Sequence, residues 1–384
     1  MPPATRFHAT IITPPGIEQL TADELHGLHI TSRVADPGTV DATMTMREIY
    51  RANLHLRTAS RILVTMAKFR ATSFAELERR SAKVPWSTVV AAGATVEVRV
   101  TCRKSRLYHS DAVAERIHKA LQRSVPGVVS ASPGEDDEPE PGDAQLFVVR
   151  LFHDVVVISA DTTGALLHRR GYRLATAKAP IRENLAAAML LGVGWDGTRP
   201  LIDPMCGAGT LAIEAAMIAR RMAPGLHRTF ACERWPLAPS AAFAAERKLA
   251  LSHVLAASAV PIVASDRDAG AVEATRANAA RAGVEGDLAI EQRPLSAMVP
   301  PPDRGLVIVN PPYGARVGEA LALRDLYAQL GNVVRARCAG WTLAFLSADR
   351  ALERQVKLPL VEARRFKNGG IAVRLMRAEV PGGE

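Results

Sequence analysis

Apolar and polar positions change rhythm twice along this chain. In residues 6–60, "RFHATII" alternates as a strand does and Pro14-Pro15-Gly16 marks a turn. "IEQLTADELHGL" then places Ile17, Leu20 and Leu25 at helical spacing. From 61 to 160, "RILVTMAKF" and "TVEVRVTC" predict strands, and "SDAVAERIHKALQRSV" predicts a helix capped by Ser110 or Asp111. "LFVVRLFHDVVVISADTTG" predicts two more strands. From about 163 strands and helices alternate, which predicts an α/β domain on a mostly parallel sheet. Its helices are "NLAAAMLLGVGW", "GTLAIEAAMIARRM", "AGAVEATRANAARAGV" (ended by Gly283) and "ALRDLYAQLGNVVRAR". Its strands are "PLID", "PIVASD", "DLAIEQ", "GLVIVN" and "WTLAFLS", and "VEARRFKNGGIAVRLMRAE" predicts an antiparallel hairpin at the sheet edge. The expected domains are 1–60, 61–162 and 163–384.

Composition adds a partner class. The 384 residues are 48% hydrophobic and 23% charged, ordinary for a globular protein. The formal net charge of +9 points to a polyanionic partner, nucleic acid or an anionic membrane face, without choosing between them. The four cysteines form no C-x-x-C pair, which argues against a structural metal or a disulfide framework and suits a reducing cytosol. No signal pattern opens the chain, and no apolar run reaches the ~18 residues of a membrane span. A cytoplasmic protein without a metal or a membrane partner is expected.

Chemistry gathers at two places. In "PLIDPMCGAGTLAIEAA", Asp203 ends a strand, Gly207-Ala208-Gly209 turns, and a helix starts near Thr210. Glycines let the backbone turn sharply and a ligand approach closely, at the strand edge where open α/β sheets bind ligands. A dinucleotide site needs an acid about 20 residues further on, and that window holds "ARRMAPGLHRTFACERW"; the next acid at a strand end is Asp266. A carboxylate at Asp203 would repel a pyrophosphate but suits an ammonium group. S-adenosylmethionine has that group and no phosphate, and Asp266 would take its ribose hydroxyls.

The second place is "GLVIVNPPYGARVG", where an apolar strand stops at Asn310, Pro311, Pro312 and Tyr313. The exocyclic amine of a nucleobase is a poor nucleophile because its lone pair is delocalised into the ring. Two acceptors drawing on both N–H bonds would pyramidalise the nitrogen and expose that lone pair. The Asn310 side-chain oxygen and the Pro311 carbonyl are such a pair. The prolines fix the backbone and remove competing donors. Tyr313 offers a flat face to an extruded base.

With both motifs present, "LHRRGYRLATAKAPIRENLAAAMLL" running into "LIDPMCGAGTLAIEAAMIA", then "APGLHRTFACERW", "SDRDAGAVEATRANAARAG" and "NPPYGARVG", resembles the THUMP-domain RNA guanine-N2 methyltransferases. The branch acting on large-subunit ribosomal RNA resembles it most, with transfer-RNA enzymes as near relatives. The resemblance is sharp over 166–318 and looser over 1–160. It implies a Rossmann-like class I methyltransferase domain with a C-terminal antiparallel hairpin, preceded by a ferredoxin-like segment (1–60) and a THUMP RNA-binding domain (61–162). It implies S-adenosylmethionine as cofactor, lined by Asp203, Pro204, Met205, Cys206, Gly207, Gly209 and Thr210. Asp266 would hold the ribose, Pro180, Arg182 and Glu183 would lie against the cleft, and Asn310–Tyr313 would form the catalytic loop. The sequence departs from the family at Pro294, where an acid near the adenine is usual, and at Ala315, where Glu is common.

For structured RNA, the expected contacts are Arg99, Arg103, Lys104 and Arg106 in the second domain, and His168, Arg169, Arg170 and Arg173 at the junction. Arg364, Arg365 and Lys367 are a weaker set. Such cations pair with phosphates largely regardless of sequence. The acidic, Pro- and Gly-rich stretch "SPGEDDEPEPGD" (132–143) would repel RNA and is expected to be a solvated loop away from it. The expected function is methylation of guanosine N2 in ribosomal RNA. The alternatives are a transfer-RNA guanine methyltransferase and a non-catalytic RNA-binding assembly factor. N-P-P-Y also serves adenine and glutamine methylation, so it does not name the base.

Overall fold

The computed structural model describes residues 5–131, 144–174, 181–313 and 320–382. Through the first 161 residues run β1 (Arg6–Ile12), α1 (Glu18–Gly27), β2 (Ser32–Val34), β3 (Thr39–Thr45), α2 (Met46–His55) and β4 (Arg61–Arg70). Then come α3 (Phe74–Ser81), β5 (Thr95–Arg103), α4 (Ser110–Ser124), β6 (Val129–Ser130), β7 (Gln145–Phe152) and β8 (Val155–Asp161). Next follow α5 (Glu183–Gly192), β9 (Leu201–Asp203), α6 (Thr210–Ala219), α7 (Ser240–Ser252), β10 (Ile262–Asp266), α8 (Ala269–Ala282) and β11 (Ala289–Gln292). The chain closes with β12 (Leu306–Val309), α9 (Ala320–Arg337), β13 (Thr342–Ser347), α10 (Arg350–Val356), β14 (Val361–Asn368) and β15 (Ile371–Glu379).

These elements form two compact units. The first holds residues up to Thr13, Ala22–Leu167 and Arg228–Lys248; the second holds Pro14–Thr21, His168–His227 and everything from Leu249 onward.

In the first unit, an eight-stranded sheet runs β2-β3-β1-β4-β8-β7-β5-β6 among the described residues. β4 joins its two halves, pairing with β1 at Ile11↔Ile62 and with β8 at Val64↔Ala160. The apolar run Ile62-Leu63-Val64, buried throughout, suits a strand with neighbours on both sides. α2 starts at a capping box, in which the Thr45 hydroxyl accepts from the Glu48 N–H and the Glu48 carboxylate accepts from the Thr45 N–H. The cap of α4 lies one residue before the expected Ser110: the N-cap is His109, without a side-chain cap bond, and Ser110 and Asp111 lie in the first turn.

Residues 228–248 complete this unit although they come much later in the chain. The Tyr50 ring stacks on Phe243 with centroids 4.2 Å apart and planes 8° from parallel. Glu246, 2% exposed, accepts from the Arg51 Nε at 2.8 Å and pairs with Arg47. The Trp235 indole donates to the Gln145 Oε1 at 2.7 Å.

The second unit carries a seven-stranded sheet of order β11-β10-β9-β12-β13-β15-β14 among the described residues. The strands β9 to β13 are parallel, and β15 is antiparallel to both β13 and β14. This is the Rossmann-like sheet expected from the sequence, with its antiparallel hairpin at one edge. β12 is buried on both faces, and its residues alternate between two cores. Leu306 and Ile308 pack with Leu185, Leu211 and Ala279, whereas Val307 and Val309 pack with Tyr327, Leu330 and Leu352. Gly283 ends α8 in the left-handed region at φ 69°, as its position in the sequence predicts. No helix among the described residues is long and apolar enough to cross a membrane.

The entry to β12 depends on a missing side chain. A Cβ on Gly305 would lie 2.2 Å from the Pro200 carbonyl oxygen, which is backbone and cannot yield. Gly305→Ala is expected to lower stability in urea denaturation by about 2 kcal/mol or more. Gly27→Ala, where the added carbon meets nothing within 4 Å, is expected to be neutral or slightly stabilising.

Candidate active site

Three neighbouring parallel strands end together at the carboxyl edge of the second unit's sheet. Ala264 of β10 lies opposite Asp203 of β9, so Asp266 stands two residues beyond that level. On the other side Val307 of β12 lies opposite Ile202, so Asn310 also stands two residues beyond the level of Asp203. Chain order reverses here, with β10 on one side of β9 and β12 on the other. Open α/β sheets bind ligands at such a switch point. The sheet therefore brings Asp203, Asp266 and Asn310 to one place.

The turn after β9 is fixed from outside itself. The Cys206 N–H donates to the Ser265 carbonyl at 3.0 Å, and the Gly207 N–H donates to the Asp266 Oδ2 at 3.0 Å. From α8, the Thr275 hydroxyl donates to the Gly207 carbonyl and the Asn278 amide to the Ala208 carbonyl, both at 2.9 Å. Gly207 and Gly209 have φ of 54° and 81°, and a Cβ on Gly209 would lie 2.6 Å from the Thr275 methyl. Both glycines are thus required, one by the turn and one by the close approach of α8. Thr210 begins α6 and is buried, as is Pro204, while Met205 is half-buried.

The electrostatics of the turn are unusual. Asp203 is 1% exposed and accepts one long bond from the Met205 N–H at 3.3 Å. Burial pushes its carboxyl up to about 8, with the nearby Asp266 adding to the rise. A cationic group arriving here would meet an acid ready to ionise. Asp266 uses one oxygen for Gly207 and the other for the Asp268 N–H at 3.0 Å, so each keeps a lone pair for a hydroxyl. Burial, and then Asp203, push the Cys206 thiol far up, so it is protonated and unreactive.

On β12's end, the Asn310 Oδ1 is buried and has no hydrogen-bond partner among the described residues. A buried acceptor left unpaired is costly and calls for an explanation. Pro311 is buried and Pro312 exposed. Tyr313 is half-buried against the core, and its hydroxyl accepts from the Asn368 amide on β14. Sequence reasoning missed Asn368, 55 residues away, because nothing local links a hairpin asparagine to this loop.

The remaining candidates divide. Pro180 and Ala315 lie outside the described residues, and Pro294 precedes a short 3₁₀ turn at Leu295–Ala297. Glu183 starts α5 and is buried, with its Oε1 3.2 Å from the Arg173 Nε. Arg170 does not suit an RNA contact: it is 5% exposed, and its Nε lies 3.4 Å from the Glu214 Oε1, which also accepts from the Tyr172 hydroxyl at 3.1 Å. His168 is likewise buried, and burial with several flanking arginines holds it neutral, down to about 3. Arg169 is half-buried. In the first unit Arg103, Lys104 and Arg106 are exposed, while Arg99 pairs with Glu97. Arg365 and Lys367 of β14 are exposed, the former paired with Glu362 at 2.9 Å. Among the described residues no group of His, Cys, Asp and Glu is placed to hold a metal ion.

The raised Asp203 fixes a pH signature. Its carboxyl favours the proton more in the folded chain than in the unfolded one, so its burial costs stability as pH climbs from about 4 to 8. Asp203→Asn is expected to leave stability unchanged near pH 4 and to raise it by up to a few kcal/mol near pH 8. Thermal melts across that range check it; a gain that does not depend on pH contradicts the burial argument.

Comparison with known proteins supplies the class. Residues 170–377 match the family described as UPF0020: RMKL-like, methyltransferase domain, and residues 8–63 match the RlmL ferredoxin-like domain. The chain is 34% identical over 395 residues to ribosomal RNA large subunit methyltransferase K/L of Syntrophotalea carbinolica, covering 98% of this chain and 53% of that protein. It is 32% identical to the protein of the same name from a Marinomonas species, with 97% and 52% covered. The chain thus spans about half the length of these curated relatives. Among solved structures, SMU.472 in complex with SAH has a TM-score of 0.85 at 30% identity and covers 99% of both chains. One from Listeria monocytogenes, named as a predicted N6-adenine-specific DNA methylase, has a TM-score of 0.83 at 29% identity, with 97% and 96% covered. With the family matched over more than half its residues and the sheet, glycine turn and N-P-P-Y strand end in place, the chain belongs to the UPF0020 family of RMKL-like methyltransferase domains.

Proposed function

We propose that this chain methylates guanosine N2 in structured RNA in the cytoplasm, using S-adenosylmethionine, and that large-subunit ribosomal RNA is the substrate. The observation that carries the chemistry is the buried Asn310 Oδ1, unpaired among the described residues, at the switch point beside Asp203. An acceptor kept dry and unpaired is suited to a donor that arrives with a substrate. The names of the K/L relatives support ribosomal RNA, and the family resemblance supports guanine.

The residues of the turn fit the cofactor by their donor set. When bound, S-adenosylmethionine supplies an electrophilic methyl carbon on a sulfonium. Asp203, once it gives up its proton, offers a buried carboxylate to the ammonium group. The free lone pairs of Asp266 would accept from the ribose hydroxyls, while Gly207 and Gly209 give the turn its left-handed backbone.

Asn310 and Pro311 act on the base. The Asn310 Oδ1 accepts one N–H of the exocyclic amine and the Pro311 carbonyl accepts the other, which turns the nitrogen lone pair out of the ring plane. Pro311 and Pro312 add no N–H that would compete for these acceptors. Tyr313, anchored through Asn368, supports the extruded base by stacking. No strong general base is required, because the methylated nitrogen is acidic enough to lose its proton to water. Residues 61–162 act as a THUMP-type RNA grip through Arg99, Arg103, Lys104 and Arg106.

Labelled methyl transfer to unmodified ribosomal and transfer RNA, with the product mapped by nuclease digestion and mass spectrometry, tests the reading. Methyl-N2-guanosine in ribosomal RNA is expected. A label in transfer RNA moves the substrate, and a label on adenine N6 replaces the base. Asn310→Ala is expected to slow transfer by at least ~100-fold with cofactor affinity within a few-fold of wild type. A variant as fast as wild type removes the mechanism.

A further inference from the structure

Four strands of the first unit carry an open, cationic face. Arg70 of β4 lies opposite Val155 of β8, Val155 opposite Phe152 of β7, and Phe152 opposite Arg103 of β5. In the next row Lys68, Val157, Arg150 and Thr101 stand in register, and beyond it Arg99 lies opposite Val148. Register partners share a side of the sheet, and alternate residues of a strand share it too. All these side chains therefore project from one face. The opposite face is the apolar one: Phe147, Val149, Leu151, Val156 and Ile158 are at most 1% exposed.

An open sheet face ordinarily mixes charges of both signs. Here Lys68, Arg70, Arg103 and Arg150 are all exposed. One row further, Glu97 is taken by Arg99, and Asp154 at the hairpin tip lies 3.7 Å from Arg70. Two large rings are exposed at the same end, Phe152 at 53% and Tyr108 at 70%. Their loops are locked together: the Arg106 N–H donates to the Asp154 Oδ1 at 2.8 Å, and the Asp154 N–H donates to the Ser105 Oγ at 3.1 Å.

We propose that this face is a platform for unpaired RNA, with phosphates on the cations and bases stacked on Phe152 and Tyr108. The proposal rests on the RNA methyltransferase reading and extends it by naming single-stranded RNA as what the first unit holds. Duplex RNA offers phosphates but keeps its base faces stacked inside, so it would use the cations alone. Unpaired RNA uses both.

The test is binding of the full chain to a labelled unstructured RNA and to a hairpin duplex of the same composition, measured by fluorescence anisotropy over a series of salt concentrations. Phe152→Ala and Tyr108→Ala are each expected to weaken single-strand binding roughly five- to hundredfold and duplex binding hardly at all. Neither should change the slope of log affinity against log salt. Arg150→Gln and Arg103→Gln are expected to weaken both RNAs and to reduce the single-strand slope by about 0.7 each. Ring variants that bind single strands as wild type does, or that lose duplex affinity equally, overturn the platform while leaving the methyltransferase reading intact. Failure of the wild-type chain to bind either RNA overturns that reading and the platform with it.

Discussion

The bend after β9 is held by bonds that come from other elements. Glycine-rich backbone loses the most freedom on ordering, so a turn built on Gly207 and Gly209 needs partners that fix it. β10 supplies Ser265 and Asp266, and α8 supplies Thr275 and Asn278. Asp266 thereby has two tasks in the proposed enzyme: it clamps the Gly207 amide and presents its spare lone pairs to a ligand. Loss of its carboxylate would loosen the turn as well as the contact.

Charge is divided between the two units. The strand ends of the second unit gather Asp203 and Asp266, a setting hostile to phosphate and hospitable to a cation. The open sheet face of the first unit carries Lys68, Arg70, Arg103 and Arg150. In the proposed function only a neutral base enters the acidic site, where it meets the uncharged acceptors of Asn310 and Pro311. The polyanionic backbone is held elsewhere. The net charge of +9 conceals this division, because a sum carries no positions.

What was legible in the sequence depended on how local its physics is. The parallel α/β sheet, the C-terminal hairpin, the stop at Gly283 and the glycine turn each follow from spacing within a few residues. Within the basic run, His168 and Arg170 misled, because composition does not show which way a side chain faces. Arg170 is drawn inward by Glu214, 44 residues away on α6. The sheet face was hidden for a similar reason: Arg70, Phe152 and Arg103 become neighbours only through strand register. Asn310 was visible as a residue type, but that its oxygen is buried and unpaired is a fact of packing.

Residues 228–248 complete the first unit from a position beyond β9 and α6. During synthesis the sheet strands emerge long before Trp235, Phe243 and Glu246, which seal its core. The nascent amino-terminal half must wait, partly uncovered, while residues 168–227 of the second unit are being polymerised. Maturation in strict succession, one unit before the other, is therefore denied to this chain, and its translation interval is when exposed apolar surface is most open to misassembly or to a chaperone.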